Sequence, residues 1–304
     1  MRDLILSNIF DLLQRRGFDV NSFAHTSSCF DLVARKGVLI LIIKVYSNID
    51  SMRQEQGTEL KRMAGALGAT PFVVGNKTKA FSLSSGKIYE RYGISAMNLQ
   101  SFRELLDEKL PSIKNFKGRD IVDLDSEKLR EARKRQGMSI EELARKIDST
   151  PESIHRYEKG YSASLGAAHK LERALKTHLV KEINLFDWKP GDDTFEERLD
   201  DETLEKIRSL GLKLAVFEHA PFRAFSLPEE KLLIHKGEGR AELRRKAIGL
   251  KMSEPIFDSD SMIVSKETKY KKIEDVPVIG EEELDSMSRY RDLLKLLKER
   301  KEHG

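Results

Sequence analysis

The stretch from residue 129 to residue 160 constrains the fold most, because helix-start and turn residues recur in it at short intervals. It reads LREARKRQGMSIEELARKIDSTPESIHRYEKG. Ser139 and Glu142 have the spacing of a capping box, and Thr150 followed by Pro151 is typical of a helix start. Further turns are expected at Gly137 and at 148–150. The pattern predicts an all-α domain of four or five short helices over residues 125–178.

The side chains of these predicted helices fall into two sets, one facing the core and one facing solvent. Those that recur at core-facing spacing are Leu143, Ala144, Ile147, Ile154 and Tyr157. Those left to face solvent around the helix after Thr150 are Glu152, Ser153, His155, Arg156 and Lys159. The predicted domain therefore presents a polar helix face that its own core does not use.

Residues 129–160 resemble the phage-repressor and Cro type of helix-turn-helix over their whole length. In that family the helix that begins near Thr150 lies in the major groove of DNA, and the start of the preceding helix contacts the backbone. Pro151, Glu152 and Arg156 fall where the family's base-reading side chains stand. Arg156 is the best candidate for direct readout, because a guanidinium can donate twice to guanine O6 and N7.

The resemblance also implies contacts to the phosphate backbone. Ser139, Ser153 and Lys159 fall at or near the family's phosphate-contacting positions, and double-stranded DNA is the expected partner. The full set of expected DNA-contacting residues is Ser139, Ile140, Thr150, Pro151, Glu152, Ser153, His155, Arg156 and Lys159. Ile140 departs from the polar residue often found at its position, so the helix after Ser139 is expected to read fewer bases.

Three further residues bear on this domain without being expected base contacts. Asp148 replaces the usual turn glycine; aspartate tolerates unusual backbone angles but brings a negative charge near DNA. Arg133 and Glu158 match a pair that bridges the first and third helices in the family, so their expected role is structural.

Residues 125–178 hold 12 Lys or Arg and 9 Asp or Glu, a surplus of three positive charges. That surplus does not require strong nonspecific binding.

The region before the helical domain reads as α/β over residues 1–110. Its segment FDLVARKGVLILIIKV, 30–45, resembles the central hairpin of PD-(D/E)xK nucleases, in which an aspartate precedes a strand ending in acid-x-lysine. Metal-dependent phosphodiester cleavage by that family needs two carboxylates to hold a divalent cation. Asp31 and Lys44 remain, but Ile42 occupies the position of the second acid. The expectation is a nuclease-like fold with no catalytic residue, no bound metal and no cofactor.

Two alternatives to a regulator stay open at this point. Gln54, Glu55 and Gln56 lie where some nucleases of this type draw an acid from the following helix, so a metal-dependent nuclease targeted by the helical domain is the rival hypothesis. An adaptor that binds protein through the helical domain is the third. Cleavage of DNA with magnesium or manganese would favour the nuclease, and absence of DNA affinity at low salt would favour the adaptor.

The predicted fold class is multidomain α/β plus all-α. The predicted parts are a nuclease-like domain at 1–110, a linker at 111–124, the helix-turn-helix domain at 125–178, a linker at 179–195 and a second α/β domain at 196–304. Residues 242–247, ELRRKA, resemble 59–64, ELKRMA, and each segment precedes an apolar strand. Residues 196–290 are thus either a diverged copy of 1–110 or a chance likeness of generic α/β segments.

Composition excludes several other classes of protein. The longest apolar run, 38–43, is far too short to span a bilayer, and Asp3 lies where a signal peptide would carry basic residues, so a cytoplasmic protein with no membrane partner is expected. Cys29 is the single cysteine and is expected to be buried, which leaves no internal disulfide. The net charge of +4 permits nucleic acid as a partner without requiring it.

The order of these parts is similar to that of the archaeal family of helix-turn-helix transcriptional regulators. The resemblance implies a DNA-binding regulator rather than an enzyme. A homodimer is expected, because single helix-turn-helix units usually gain specificity by reading two half-sites. The first and third domains are then expected to set the dimer geometry or to bind an effector of unknown chemistry.

Overall fold

The computed structural model of the chain describes residues 1–24, 28–190, 201–227, 231–266 and 269–302. Residues 191–200, which contain the end of the second predicted linker and the start of the predicted C-terminal domain, lie outside the described residues. None of the helices in the described part of the chain is long and apolar enough to cross a membrane.

The described residues form helices and strands throughout the chain. The helices are α1 Arg2–Arg15, α2 Gln54–Leu67, α3 Leu99–Leu106, α4 Ser126–Arg135, α5 Ile140–Lys146, α6 Pro151–Glu158, α7 Leu165–Leu175, α8 Glu202–Ser209, α9 Arg240–Phe257, α10 Glu281–Asp285 and α11 Tyr290–Glu302. The strands are β1 Asp19–Ser22, β2 Leu32–Lys36, β3 Leu39–Asn48, β4 Thr70–Lys77, β5 Lys87–Arg91, β6 Ile94–Met97, β7 Ile113–Phe116, β8 Arg119–Val122, β9 Ala163–Ser164, β10 Lys213–Val216, β11 Ala224–Leu227, β12 Leu232–Lys236, β13 Asp260–Ser265, β14 Lys272–Ile273 and β15 Val276–Gly280. The predicted multidomain α/β plus all-α class is confirmed.

These elements belong to two compact units, each assembled from separate stretches of chain. The first unit comprises Met1–Val45, Met52–Phe72 and Trp188–Gly304. The second comprises Tyr46–Ser51 and Val73–Asp187. The helix-turn-helix region therefore lies in the second unit, and the Asp31–Lys44 hairpin lies in the first.

In the first unit, β1, β2 and β3 form an antiparallel meander. The turn between β2 and β3 contains Gly37, whose φ of 59° favours glycine, and Lys36 pairs with Leu39 across it. A second meander, β10 to β12, continues into a six-stranded sheet in the order β10-β11-β12-β13-β15-β14, with β12, β13 and β15 parallel. The buried leucines of α8 and α11 pack on this sheet.

The same order of elements occurs twice in the first unit. A helix, three antiparallel strands and a second helix follow one another as α1, β1, β2, β3 and α2, and again as α8, β10, β11, β12 and α9. This order supports the diverged copy over the chance likeness as the explanation for the similarity between 59–64 and 242–247.

In the second unit, the segment predicted to be a linker at 111–124 forms a β-hairpin instead. β7 pairs with β8 in antiparallel register, and β8 pairs with β9 next to the helical domain. Lys117 and Gly118 close the turn with φ values of 49° and 79°, which suit a two-residue hairpin turn. Val122 and Leu124 join the core of helices α4 to α7, so the hairpin is continuous with that domain.

Candidate nucleic-acid interface

The start of α5 is fixed by a reciprocal pair of hydrogen bonds. The Glu142 backbone N–H donates to Ser139 Oγ at 3.1 Å, and the Ser139 backbone N–H donates to Glu142 Oε2 at 2.7 Å. Leu143 and Ala144 are buried one turn later. The predicted capping box is present, and because Ser139 stays exposed, its position at the tip of the helix remains open to a partner.

A tight turn separates α5 from α6. Asp148 adopts a left-handed backbone conformation, with φ of 54°, as its position in place of a glycine predicts. Its carboxylate lies 3.6 Å from Lys170 Nζ on α7, so a cation of the same domain offsets its negative charge. Thr150 then caps α6, since Ser153 N donates to its Oγ1 at 3.2 Å.

A buried ion pair holds the inner side of α6. Arg133 Nε lies 2.7 Å from Glu158 Oε1 and Nη2 lies 3.1 Å from Oε2, which is a two-point contact between α4 and α6. Arg133 Nη1 also donates to the Met138 carbonyl oxygen. Hydrogen bonding to Glu158 raises the pKa of the Arg133 guanidinium. Ile154 is fully buried and Tyr157 packs beside the same core.

The outer side of α6 carries most of the residues expected to contact DNA. Glu152, His155, Arg156 and Lys159 are exposed, while Pro151 and Ser153 are half-buried. On the preceding elements Ser139 and Thr150 are exposed. Ile140 is half-buried and packs against the domain core. The structure thus places all nine residues at the starts of α5 and α6 or on the outer side of α6, and Ile140, the first residue of α5, is turned partly inward.

Tyr161 is absent from the residues predicted to contact DNA. Its ring is largely exposed and lies beneath the Arg156 guanidinium, with the Arg156 Cζ atom 5.0 Å from the ring centre. Its backbone N–H also donates to the Arg156 carbonyl oxygen at 3.1 Å. A stacked guanidinium keeps its donors free and loses fewer side-chain conformations on binding. The signal available in the sequence was an arginine five residues before an aromatic residue in a turn.

A basic groove along α7 also lies outside the predicted DNA-contacting residues. A depression of about 690 Å³ is lined chiefly by basic side chains. The basic residues are His169, Lys170, Arg173, Lys176 and His178. The acidic Glu172 also lines the groove. Glu172 is itself held by the Leu179 and Val180 backbone N–H groups, at 2.8 and 3.1 Å. Three of the domain's Lys or Arg residues, Lys170, Arg173 and Lys176, thus line a surface outside the two helices of the motif.

In the first unit, the Asp31 carboxylate is bound by two basic side chains and one backbone N–H. Its Oδ1 lies 2.7 Å from Arg2 Nη2 and 3.1 Å from Lys44 Nζ, and its Oδ2 accepts from Val45 N at 2.7 Å. Lys44 Nζ also donates to the Ser28 carbonyl oxygen at 2.8 Å. Two cations already neutralise the one carboxylate, which is buried.

This arrangement does not fit a divalent cation. Ile42, in the position of the second acid, is fully buried. Across the ranges that the structure describes, no group of three or more His, Cys, Asp or Glu side chains is arranged to hold a metal ion. Gln54, Glu55 and Gln56 form the first turn of α2, where Gln56 Oε1 accepts from Arg53 N at 3.0 Å and Glu55 is exposed.

A cavity of about 510 Å³ opens beside this hairpin. It is lined by Ser28, Cys29, Lys44, Arg53, Glu55, Gln56, Glu59, Glu218 and His219. Cys29 is buried as predicted, and desolvation raises the pKa of its thiol well above the ordinary range. Because reactivity belongs to the thiolate, Cys29 is an inert lining residue.

Two family models match the chain. Residues 2–111 match the PD-(D/E)XK superfamily domain, and residues 129–181 match a helix-turn-helix model. The first match agrees with the nuclease-like fold and the second with the geometry of α4 to α7. In a comparison with solved structures, none matches the chain.

Similar proteins extend over nearly the whole chain. A protein of Archaeoglobus fulgidus is 33% identical over 301 residues, covering 97% of each chain. Proteins of Pyrococcus abyssi and Methanocaldococcus jannaschii are 32% and 31% identical, covering 96% and 98% of this chain and 95% and 97% of their own. Each bears the name "Putative HTH-type transcriptional regulatory protein". These names describe regulators and not enzymes.

Proposed function

The chain belongs to this archaeal family of HTH-type transcriptional regulatory proteins, and on that premise we propose that α6 reads the major groove while the start of α5 contacts the DNA backbone. It is a DNA-binding regulator, as predicted. The observation that carries the proposal is the two-sided character of α6. Ile154 and Glu158 fix its inner side, and Glu152, Arg156 and Lys159 leave its outer side free for DNA.

The proposed roles follow the position of each side chain. Arg156 reads a guanine, with Pro151 and Glu152 at the neighbouring base positions. The proposed backbone contacts come from Ser139, Ser153 and Lys159, flanked by Thr150, His155 and Ile140. Stacking on Tyr161 supports the first assignment, because it presents the Arg156 donors in a restricted set of orientations.

Selection of bound duplexes from a random DNA library, followed by affinity measurements, tests these roles. R156A is expected to weaken the preferred site by about 5- to 150-fold, the range for a lost two-point base contact, and to relax preference at one base. K159A is expected to weaken all sequences alike and to reduce the salt slope by about one.

R156K is the matched control, since it keeps the charge but loses the planar fork. It should retain affinity for unrelated duplexes while losing the sequence preference. Equal binding of every duplex by wild type, R156A and R156K would contradict specific readout.

We further propose that the regulator is a cytoplasmic homodimer whose first and third parts set its geometry or bind an effector. The helix-turn-helix at 129–181 supports a dimer, because two copies of such a unit read half-sites about 34 Å apart. Enrichment of a two-fold sequence motif with that spacing is the expected outcome of the library selection. A single asymmetric half-site, together with a monomeric mass in solution, would contradict the dimer.

The nuclease-like part is proposed to be without activity. The replacement of an acid by Ile42 and the pairing of Asp31 with Arg2 and Lys44 support this proposal. Labelled duplex, branched and single-stranded DNA, incubated with Mg²⁺ or Mn²⁺, should stay intact. Cleavage by the wild type that D31A abolishes would establish the nuclease instead.

A further inference from the structure

The β7–β8 hairpin is joined to the helix-turn-helix by strand pairing. Ile121 lies opposite Ser164 and Val122 lies opposite Ala163, so β8 runs beside β9. Strand β9 follows α6 after the short turn that contains Tyr161. The hairpin is therefore a structural neighbour of the proposed DNA-reading helix, although α4 and α5 lie between the two in the sequence.

The base of the hairpin is held on both of its strands. Val122 is fully buried in the core of α4 to α7, and Ile113 packs against the same core. Ser162, in the turn after α6, donates from its Oγ to Asp123 Oδ1 at 2.6 Å. Lys114 Nζ donates to the other oxygen of that carboxylate at 2.6 Å. These contacts give the hairpin a defined position relative to the end of α6.

The tip of the hairpin projects from this base into solvent. It consists of Phe116, Lys117, Gly118 and Arg119, all of which are exposed. A strand advances about 3.3 Å per residue, so Gly118 lies about 10 Å along β8 from the position of Ile121 beside β9. The tip thus extends beyond the helical domain to which its base is attached.

The tip carries two positive charges without acidic partners. Neither Lys117 nor Arg119 forms an ion pair with any residue that the structure describes. The two aspartates of the hairpin segment are already engaged, Asp120 by Lys87 of β5 and Asp123 by Lys114. One cation is therefore left on each side of Gly118, and this charge is complementary to a polyanion.

Phe116 adds an apolar surface beside these cations. It is 58% exposed, and Lys117 Nζ lies 5.3 Å from the centre of its ring. A single exposed phenylalanine is common on protein surfaces and by itself indicates nothing. Together with unpaired cations it resembles the way proteins meet nucleic acid, in which basic side chains bind phosphates and apolar side chains enter the minor groove.

We propose that the tip of the β7–β8 hairpin is a second DNA-contacting element of this protein. Lys117 and Arg119 bind phosphates of the duplex that flanks the sequence read by α6, and Phe116 packs against the sugars of the adjoining minor groove. Two-stranded β elements serve as DNA readers in other classes of protein. The hairpin lies between the segments that match known domains, 2–111 and 129–181, so neither match assigns it a role. The proposal rests on the proposed function of α6 and extends its DNA site.

The salt dependence of DNA binding by the full-length chain tests this contact. On a duplex that contains the selected motif and its flanks, K117A/R119A should reduce the slope of log affinity against log salt concentration by about two, since each phosphate contact contributes about 0.9. The base preference set by Arg156 should remain that of the wild type. F116A should weaken binding about 3- to 10-fold with the slope unchanged, because it removes apolar burial and no charge.

Hydroxyl-radical footprinting locates the contact on the DNA. The wild type should protect sugars outside the base-read motif, and K117A/R119A should lose that flanking protection while it keeps protection of the motif. When the duplex is trimmed to the motif alone, wild type and K117A/R119A should bind with equal affinity. Flanking protection that survives in K117A/R119A would overturn the proposal.

R103A/K109A is the matched control for charge. Arg103 on α3 and Lys109 just after it are exposed and belong to the same unit, so the control also removes one arginine and one lysine. It should keep the slope and the footprint of the wild type. An equal reduction of the slope in R103A/K109A would reduce the effect to general charge and overturn the proposal.

Two other outcomes identify what has failed. A lower oligomeric mass for K117A/R119A, with the salt slope unchanged, would assign the tip to a contact between copies of the chain and overturn the DNA contact. If the wild type binds no duplex at low salt, the reading of DNA by α6 fails together with the hairpin contact. If the wild type binds and R156A alone weakens it, only the hairpin contact fails.

Discussion

The ion pair between Arg133 and Glu158 is the residue-scale feature on which the position of α6 depends. Both side chains are largely buried, and each is the charged partner of the other. Removing one partner of a buried pair leaves the other uncompensated, which is far more costly than the pair's net contribution to stability. The outer residues of α6 are thus oriented by a contact on the opposite side of the helix.

E158A should therefore destabilise the helix-turn-helix domain by about 3–5 kcal/mol. Denaturant unfolding followed by circular dichroism measures the change in the free energy of unfolding. K134A, an exposed neighbour of Arg133 on α4, should change it by less than about 0.5 kcal/mol. A similar small effect for both variants would show that α6 does not depend on this pair.

Burial lowers the pKa of His235, and this predicts a pH dependence of stability. The folded value of about 4 lies below the ordinary value of about 6.5, so between these limits the unfolded chain binds a proton that the folded chain rejects. The free energy of unfolding should therefore fall as pH drops through 6.5, by at most about 3 kcal/mol at pH 4. H235F should show a flatter profile from pH 7.5 to pH 5 in thermal unfolding. A profile parallel to that of the wild type would refute the assignment.

At the scale of elements, local signals in the sequence predicted the helical domain well. The capping box at Ser139, the cap at Thr150 and the left-handed Asp148 act within a few residues, and each is present in the structure. The family resemblance supplied the Arg133–Glu158 contact. Arg156 and Tyr161 lie close enough in sequence to suggest a contact, but only the fold shows that the ring lies under the guanidinium.

The β7–β8 hairpin could not be predicted from apolar periodicity, because polar contacts hold it. Lys114 Nζ lies 2.6 Å from Asp123 Oδ2, and Asp120 pairs with Lys87 and Asn115 at 2.5 and 2.9 Å. Its strands are short and charged, as in a loop. The strands β5 and β9, which pair with the two edges of the hairpin, lie outside the segment, so the sequence of 111–124 alone suggested a linker.

Gly118 offers a direct test of the hairpin. G118A should cost about 1–2 kcal/mol, because alanine is disfavoured at its φ of 79°. Gly166, in the first turn of α7 with open space around its Cβ position, is the control. G166A should be neutral or stabilise the domain by up to about 1 kcal/mol. Thermal unfolding of the two variants measures the difference, and an unchanged melting temperature for G118A would exclude a left-handed turn there.

At the scale of the whole first unit, the two meanders contact each other reciprocally. Helix α2 packs on β10, where Arg62 Nη2 donates to the Val216 carbonyl oxygen at 3.3 Å, and helix α9 packs on β1, where Asn21 Nδ2 donates to the Met252 carbonyl oxygen. The sequence suggested the copy through 59–64 and 242–247. The sequence could not predict the contact between the two meanders. Segments 59–64 and 242–247 lie about 180 residues apart, and no pattern in either predicts which strand it packs on.

Glu59 anchors one side of that contact. Its Oε1 accepts from the backbone N–H groups of Glu218 and His219 at 2.8 and 2.6 Å, and its Oε2 lies 2.9 Å from His219 Nδ1. E59A should speed amide exchange of Glu218 and His219 by about 10- to 100-fold, since hydrogen bonds to charged groups contribute about 1.5–3 kcal/mol. E55A, an exposed residue of the same helix, should leave both rates unchanged. Equal rates in all three proteins would show that the contact does not persist in solution.

The reciprocal contact has an evolutionary consequence. In a pair of identical subunits, every substitution at the contact appears on both sides at once, so a change that suits one side is imposed on the other. Joining both copies in a single chain removes that constraint, and each copy is free to mutate alone. Asp31 facing Arg2 in one meander, and Arg223 near the buried His235 in the other, are an asymmetry that two halves of one chain can carry and that a pair of identical subunits cannot.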